Sequence, residues 1–91
     1  MSTKAITKVL ALELAERKIR VNAIMPGYFD TEGARAVGVK DTEEEAQLIA
    51  TTPLEKRPGY PSDLSPVAIF LASRASAWMT GEILTVSGGK R

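Results

Sequence analysis

Two short strand-like segments lie far apart in this chain, with helical patterns between them. The first is IRVNAI at residues 19–24, where apolar and polar residues alternate, and the second is EILTV at residues 82–86. Because more than fifty residues that include a helix connect them, the strands are predicted to be parallel, with a right-handed crossover. Two parallel strands do not form a sheet that is stable alone, since both faces need cover. The predicted fold class is therefore α/β, and we expect the chain to be part of a larger fold.

The opening segment, residues 3–17, is predicted to form a helix. Its apolar residues fall on an arc of roughly 200°, wider than the stripe of a helix that rests on a single core. The arc contains Ala5, Ile6, Val9, Leu10, Leu12 and Leu14. A helix of this kind is usually packed on two sides. We therefore expect one contact with the rest of the domain and a second with a partner outside this chain or with another copy.

The middle of the chain, from about residue 29 to residue 58, is polar and poorly periodic. Within it, Thr42 followed by Glu45 forms a capping-box pattern, which predicts a short helix over residues 43–50. The next segment, residues 51–61, holds three prolines and a glycine and is predicted to be a loop.

A second apolar helix is predicted after that loop, before the final strand. Ser65 as its N-cap, with Pro66 as the first helical residue, is the best local interpretation. An earlier start, near Pro61 or Ser62, is the alternative and requires Pro66 to be tolerated just beyond the first turn.

Composition excludes several classes of function. A net charge of +1 and a pI near 8.0, with no run of more than two basic residues, give no electrostatic case for nucleic acid or a membrane as partner. Cysteine and histidine are absent, which excludes a disulfide framework, a His-based catalytic triad and the usual zinc site, so no metal is expected. Without a signal pattern or an apolar run of ~20 residues, the expected location is the cytoplasm.

The first predicted strand stops at Pro26 and Gly27, which are followed by Tyr28 and Phe29. Pro26 lacks the N–H that a strand interior needs, and Gly27 is expected to permit backbone angles that other residues resist. Ligands of open α/β sheets bind beyond the carboxyl ends of strands, and such a turn lets the backbone approach a flat ring closely. A plain strand-ending turn explains the same pair equally well.

Taken in order, three segments resemble the short-chain dehydrogenase/reductase family. They are STKAITKVLALELAERKIRVNAIMPGYFDT, TPLEKRPGYPSDLSPVAIFLAS and MTGEILTVSGG, and DTEG resembles bacterial glucose dehydrogenase-like or 3-oxoacyl reductase-like members. The resemblance implies the C-terminal portion of a Rossmann-type doubly wound parallel sheet, with residues 1–91 as part of one dehydrogenase domain. It also implies NAD or NADP as cofactor, a small carbonyl or alcohol substrate, and a homo-oligomer, either a dimer or a tetramer.

The resemblance also assigns roles to individual residues. Lys4 matches the family's catalytic lysine, which stabilises a tyrosine phenolate and hydrogen-bonds the nicotinamide ribose; its alternative is a solvated lysine in a first helical turn. That tyrosine precedes the lysine by four residues and would fall just before Met1, whereas Tyr28 and Tyr60 have no lysine at that spacing. The family's serine and Gly-rich phosphate turn have no match either, so the chain alone is expected to be inactive. The implied cofactor-binding residues are Lys4, Pro26, Gly27, Tyr28, Phe29 and Thr31.

Two further expectations concern the surface. Residues 32–52 match the segment that forms a substrate lid in the family, although an ordinary surface excursion explains its polarity almost as well. Asn22 is expected to be structural, and Trp78 is expected in a core or an interface. The broad apolar arc of the first helix supports a competing hypothesis, a non-catalytic fragment that keeps oligomerisation or interaction surfaces.

Overall fold

The computed structural model describes residues 1–90, which form four α-helices and two β-strands. Their order is α1 (Thr3–Leu14), β1 (Ala23–Pro26), α2 (Glu32–Ala36), α3 (Glu43–Ala50), α4 (Pro61–Ala72) and β2 (Ile83–Val86), with short 3-10 turns at Ala15–Arg17 and Arg74–Ser76. The chain divides into two compact units. The first comprises Met1–Met25 and Val67–Thr85, and the second comprises Pro26–Pro66 and the C-terminal segment from Val86.

The two strands pair in parallel, as the sequence predicts. The Ala23 N–H donates to the Glu82 carbonyl at 2.9 Å, and the Gly27 N–H donates to the Val86 carbonyl at 2.9 Å. Both strands therefore advance by four residues between these bonds, which only a parallel pair does. The predicted α/β class is correct.

The start of β1 differs from the predicted boundary, since the strand begins at Ala23 and not at residue 19. The Val21 N–H donates to the Thr80 hydroxyl at 3.1 Å, and the Val21 carbonyl accepts from the Gly81 N–H at 2.7 Å. Residues 19–22 therefore run alongside the turn that precedes β2 and are bonded to it. Alternation alone does not show where a partner strand begins.

In the first unit, the buried face of α1 is narrower than the apolar arc predicted from its sequence. Ser2 caps the helix by accepting from the Ala5 N–H at 3.1 Å. The buried side chains are Thr7 and Ala11, one turn apart, whereas Leu12 is 79% exposed. Within this unit α1 therefore packs through a narrow stripe of short side chains, and most of its larger apolar residues remain exposed to solvent.

Polar side chains hold the rest of the first unit together. Asn22 donates to the Met79 carbonyl at 3.1 Å and accepts from the Glu82 N–H at 3.0 Å. These two bonds confirm the structural role expected of Asn22, because they fix the approach to both strands. Trp78 is fully exposed in the described structure, so it is not a core residue here.

In the second unit, α3 begins as predicted but α4 does not. Thr42 accepts from the Glu45 N–H at 3.2 Å and caps α3. The preferred interpretation of Ser65 as the cap of α4 is wrong, because the helix begins at Pro61. Asp63 accepts from the Tyr60 N–H at 2.8 Å, which satisfies a free donor at that earlier start.

Among residues 1–90, none of the helices has the length and apolar character that a membrane span requires.

Candidate functional site

Gly27 lies where the two strands end, and its lack of a side chain is required there. A Cβ at this position would stand 2.8 Å from the Ser87 Cβ and 2.9 Å from the Ser87 Cα. Its φ is not positive, so the expectation that Gly27 supplies an unusual backbone angle is wrong. The glycine is needed because the segment after β2 passes directly against it.

Beyond Gly27, Phe29 forms a single parallel bridge with Gly59. The Gly59 N–H donates to the Tyr28 carbonyl at 2.9 Å, and the Asp30 N–H donates to the Gly59 carbonyl at 2.8 Å. In this pattern the N–H and C=O of Phe29 itself point away from Gly59. Neither group has a hydrogen bond to any other residue between 1 and 90.

This arrangement leaves one backbone donor and one backbone acceptor side by side on Phe29. A primary amide offers the complementary acceptor and donor, so the two can form a pair of hydrogen bonds. The Tyr28 carbonyl is already occupied by Gly59, which leaves Phe29 as the better of the two candidates. The Phe29 ring lies on Gly59, where a Cβ would come within 2.6 Å of the ring.

Thr31 has a defined partner in the same loop. Its hydroxyl accepts from the Ala34 N–H at 3.1 Å and caps α2, a short helix that the sequence did not predict. A hydroxyl that accepts one bond still has a proton to donate. The structure therefore leaves Thr31 able to donate to a carbonyl or phosphate oxygen, and its cofactor-binding role stays a prediction.

The Tyr28 side chain is bonded to the carboxylate of Glu45, the residue that the sequence pattern places in a capping box. The Tyr28 hydroxyl donates to Glu45 Oε2 at 2.5 Å, and Glu45 Oε1 accepts from the Asp41 N–H at 3.1 Å. The hydrogen bond to Glu45, together with burial, raises the pKa of Tyr28 to about 12. The same bond lowers the pKa of Glu45. Tyr28 is therefore a protonated phenol at neutral pH and a poor general base.

Two basic side chains lie close to Asp30, the residue that follows Phe29. Arg35 donates to Asp30 at 3.2 Å, and this bond lowers the pKa of the Asp30 carboxyl group. The Lys40 ammonium lies 3.7 Å from Asp30 and 3.7 Å from Glu45, between the two carboxylates. No sequence signal paired these residues, because the chain must fold back over α2 to bring them together.

A cavity of about 210 Å³ opens beside this loop in the second unit. Its lining includes Tyr28, Phe29, Arg57, Gly59 and Ser87. The volume suits a ring-sized group and is too small for a whole dinucleotide.

Arg57 is the cation of this cavity, and its guanidinium already has partners. It donates to Asp63 at 2.8 Å and to Glu55 at 2.7 Å. These hydrogen bonds raise the pKa of Arg57 and lower that of Asp63. Arg57 therefore braces the loop before α4 and has little capacity left for a ligand anion.

Lys4, the remaining predicted site residue, lies in the first turn of α1 in the first unit, with its side chain exposed. Its catalytic role stays a prediction, as do the cofactor roles of Pro26, which ends β1, and of its neighbours. The described residues contain no cluster of acidic side chains that could hold a metal ion.

Comparison with known proteins places this geometry in a family. A sequence model of the family described as enoyl-(acyl carrier protein) reductase matches residues 1–91. An uncharacterized oxidoreductase of Methylorubrum extorquens is 53% identical over 87 residues, which are 96% of this chain and 35% of that protein. The 7α-hydroxysteroid dehydrogenase of Escherichia coli is 39% identical over 84 residues, which are 92% of this chain and 32% of that protein.

Solved structures agree with the sequence relatives. The hydroxysteroid dehydrogenase of E. coli superposes with a TM-score of 0.87 at 39% identity, over 97% of this chain and 36% of that chain. A structure from Agrobacterium tumefaciens, described as a 2-deoxy-D-gluconate 3-dehydrogenase with bound NADP, gives 0.84 at 37% identity, over 94% and 34%. The chain thus spans about a third of the length of these relatives. It belongs to the short-chain dehydrogenase/reductase family and matches the C-terminal part of the family's Rossmann-type subunit.

Proposed function

We propose that this chain forms the nicotinamide side of an NAD(P)-dependent oxidoreductase that interconverts a small carbonyl compound and an alcohol. The free N–H and C=O of Phe29 carry the proposal, because together they fit the carboxamide of a nicotinamide. The bound NADP of the A. tumefaciens structure supports this choice of cofactor class. The chain covers only about a third of its relatives, so the activity belongs to a complete subunit.

Each residue of the loop then has a separate task. Gly27 keeps the backbone close to Ser87, and the Phe29 bridge to Gly59 orients the amide-binding groups. The Thr31 hydroxyl donates its remaining proton to the cofactor. When bound, the nicotinamide accepts or supplies the hydride.

Lys4 is assigned an electrostatic task in the same proposal. Its ammonium hydrogen-bonds a ribose hydroxyl and favours the ionised form of a phenol supplied from outside this chain. Such a phenol, with an ordinary pKa near ~10, needs a nearby cation to act as a base at neutral pH.

The test uses a chimaera in which this chain replaces the matching segment of the E. coli 7α-hydroxysteroid dehydrogenase. We expect the chimaera to bind NADH or NADPH, measured by quenching of intrinsic fluorescence, and the 91-residue chain alone to show no turnover. A Lys4→Met chimaera should lose most of its turnover, while Lys18→Met, at an exposed lysine after α1 whose side chain has no hydrogen bond to another residue between 1 and 90, serves as the control. A chimaera that folds by circular dichroism and binds neither nucleotide would overturn the proposal.

A second candidate function is a non-catalytic fragment that interacts through its apolar surface. The first unit favours it, because Trp78 is fully exposed, Leu12 is 79% exposed and Ile69 is 67% exposed. This candidate predicts a defined oligomer of the 91-residue chain in analytical ultracentrifugation. A monomer that persists across a hundredfold range of concentration would remove it.

A further inference from the structure

Glu45 is the one charged residue between 1 and 90 that is buried, and it is bonded to the residue directly before Phe29. We propose that Glu45 is a positioning residue for the cofactor, which holds Tyr28 and thereby sets the backbone of Phe29 for amide binding. This inference rests on the proposed function, since Phe29 is taken there as the carboxamide-binding residue.

The carboxylate of Glu45 is well placed for this task. Glu45 is only 6% exposed, and its two carboxylate oxygens have different partners: Oε1 accepts from the Asp41 N–H, and Oε2 accepts from the Tyr28 hydroxyl. Glu45 stands in the first turn of α3, where the Thr42 cap fixes the helix start. The carboxylate that accepts the Tyr28 bond is thus held by a helix with a fixed start. Because Glu45 is buried, water has little access to compete for this bond.

Tyr28 transmits this restraint to Phe29 because it is held at both ends. Glu45 binds its phenol, and Gly59 donates to its backbone carbonyl at 2.9 Å. The carbonyl of Tyr28 belongs to the same planar peptide unit as the N–H of Phe29. Fixing that plane therefore fixes the direction of the donor that we assign to the carboxamide.

The acceptor side of Phe29 is restrained in a similar way. Its carbonyl shares a peptide plane with the N–H of Asp30, which donates to Gly59 at 2.8 Å. The Asp30 carboxylate is in turn bonded to Arg35 and lies 3.7 Å from Lys40, which also faces Glu45. Tyr28 and Asp30, the two neighbours of Phe29, are therefore bonded to residues of the 32–52 segment. Conformational order in that segment is thus coupled to order in the backbone around Phe29.

The first test uses the chimaera described above. Glu45→Ala and Tyr28→Phe should each raise the KM for the nicotinamide nucleotide by about tenfold, with kcat at saturating nucleotide within about twofold, because a charge-assisted bond is lost. Glu45→Gln keeps an uncharged acceptor and should fall between Glu45→Ala and the unsubstituted protein. The double variant should be no worse than Glu45→Ala alone, since that substitution already deletes the bond to Tyr28.

The controls match each change in chemistry. Glu44→Gln removes a charge from the same helical turn, and Tyr60→Phe removes a phenol hydroxyl from the same unit. Neither should change the nucleotide KM. If Glu45→Ala leaves the KM unchanged while the unsubstituted chimaera binds nucleotide, the positioning role is wrong and the proposed function stands.

A second measurement, on the folded chimaera without nucleotide, does not depend on cofactor binding. The Asp30 and Gly59 amide protons report the bridge at Phe29, and Glu45→Ala should speed their hydrogen exchange, measured by NMR, by about tenfold. The Leu54 amide, which donates to the Gly88 carbonyl at 2.9 Å, should be unaffected. Unchanged exchange of Asp30 and Gly59 would overturn the inference, even if the chimaera binds no nucleotide and the proposed function fails.

Discussion

The Arg20 guanidinium lies 3.0 Å from the hydroxyl of Ser76, and both groups bond the chain that leaves α4. Arg20 donates to the Leu71 carbonyl at 2.9 Å and to the Ser76 carbonyl at 2.8 Å. Ser76 is 1% exposed, and its hydroxyl lies 2.8 Å from the Phe70 carbonyl. Together they satisfy carbonyls that the end of a helix leaves without intrahelical donors.

This relationship predicts that Arg20→Met destabilises the first unit although it adds an apolar side chain. The substitution leaves several carbonyls without their charged donor, which costs about 2 kcal/mol in the free energy of unfolding. For a chain of 91 residues, we expect the Tm to fall by about 10 °C in calorimetry. Arg17→Met, an exposed substitution three residues earlier, is the control and should change the Tm by less than about 3 °C. Equal losses in both variants would contradict the assignment.

Gly27→Ala should destabilise the protein through the close approach of Ser87. The added Cβ would stand 2.8 Å from the Ser87 Cβ and 2.9 Å from its Cα, so the backbone must shift. We expect a loss of about 1–3 kcal/mol, measured by urea unfolding. A second change, Ser87→Gly, should restore only part of the loss, because it removes the Cβ of residue 87 and leaves the backbone crowded.

Gly33→Ala provides the matched control for that substitution. Gly33 lies inside α2, and a Cβ there would meet only the Thr31 hydroxyl, at 3.7 Å. Since alanine favours a helix interior, we expect unchanged or slightly higher stability, by up to about 1 kcal/mol. If Gly33→Ala were as damaging as Gly27→Ala, the close approach at Ser87 would not be the cause.

Pro66→Ala should stabilise the protein, because Pro66 lies in the interior of α4. Proline cannot donate to the carbonyl four residues before it, and its ring crowds that carbonyl. Restoring the N–H outweighs the extra freedom of the unfolded chain, and we expect a gain of about 1–2 kcal/mol in thermal unfolding. Pro61→Ala is the matched change at the first helical position, where proline is favourable, and it should give no gain.

Local signals in the sequence determined some features of this fold and could not determine others. Thr42 marks the start of α3 correctly because a cap depends on residues within one turn. The sequence misplaces the start of α4 because Ser65 followed by Pro66 is the better local cap pattern, whereas the observed start at Pro61 is only its alternative. The choice depends on the Arg57 guanidinium, which orients Asp63 from the preceding loop at 2.8 Å. A tertiary interaction of this kind leaves no periodic signal.

The candidate site shows the same division between local and distant information. The Pro26-Gly27 pair correctly indicated where β1 ends, yet the reason for the glycine, the close approach of Ser87, lies sixty positions along the chain. Glu45 was assigned to a reciprocal cap, but its carboxylate instead accepts from Asp41 and Tyr28. Family resemblance supplied the roles of Lys4 and Thr31, because composition and spacing alone do not name a cofactor.

The bond between Tyr28 and Glu45 predicts how stability depends on pH at both ends of the scale. The pKa of Tyr28 is raised from 10.0 to about 12, so the bond contributes fully below pH 10 and its contribution is lost as pH rises from 10 to 12. The pKa of Glu45 is lowered from 4.5, so on the acid side the contribution is lost as pH falls below 4.5. Difference titration of phenolate absorbance against Tyr28→Phe should show one ionisation near pH 12. In Glu45→Gln that ionisation should move toward 10, and a midpoint that stays in place would show that another group raises the pKa of Tyr28.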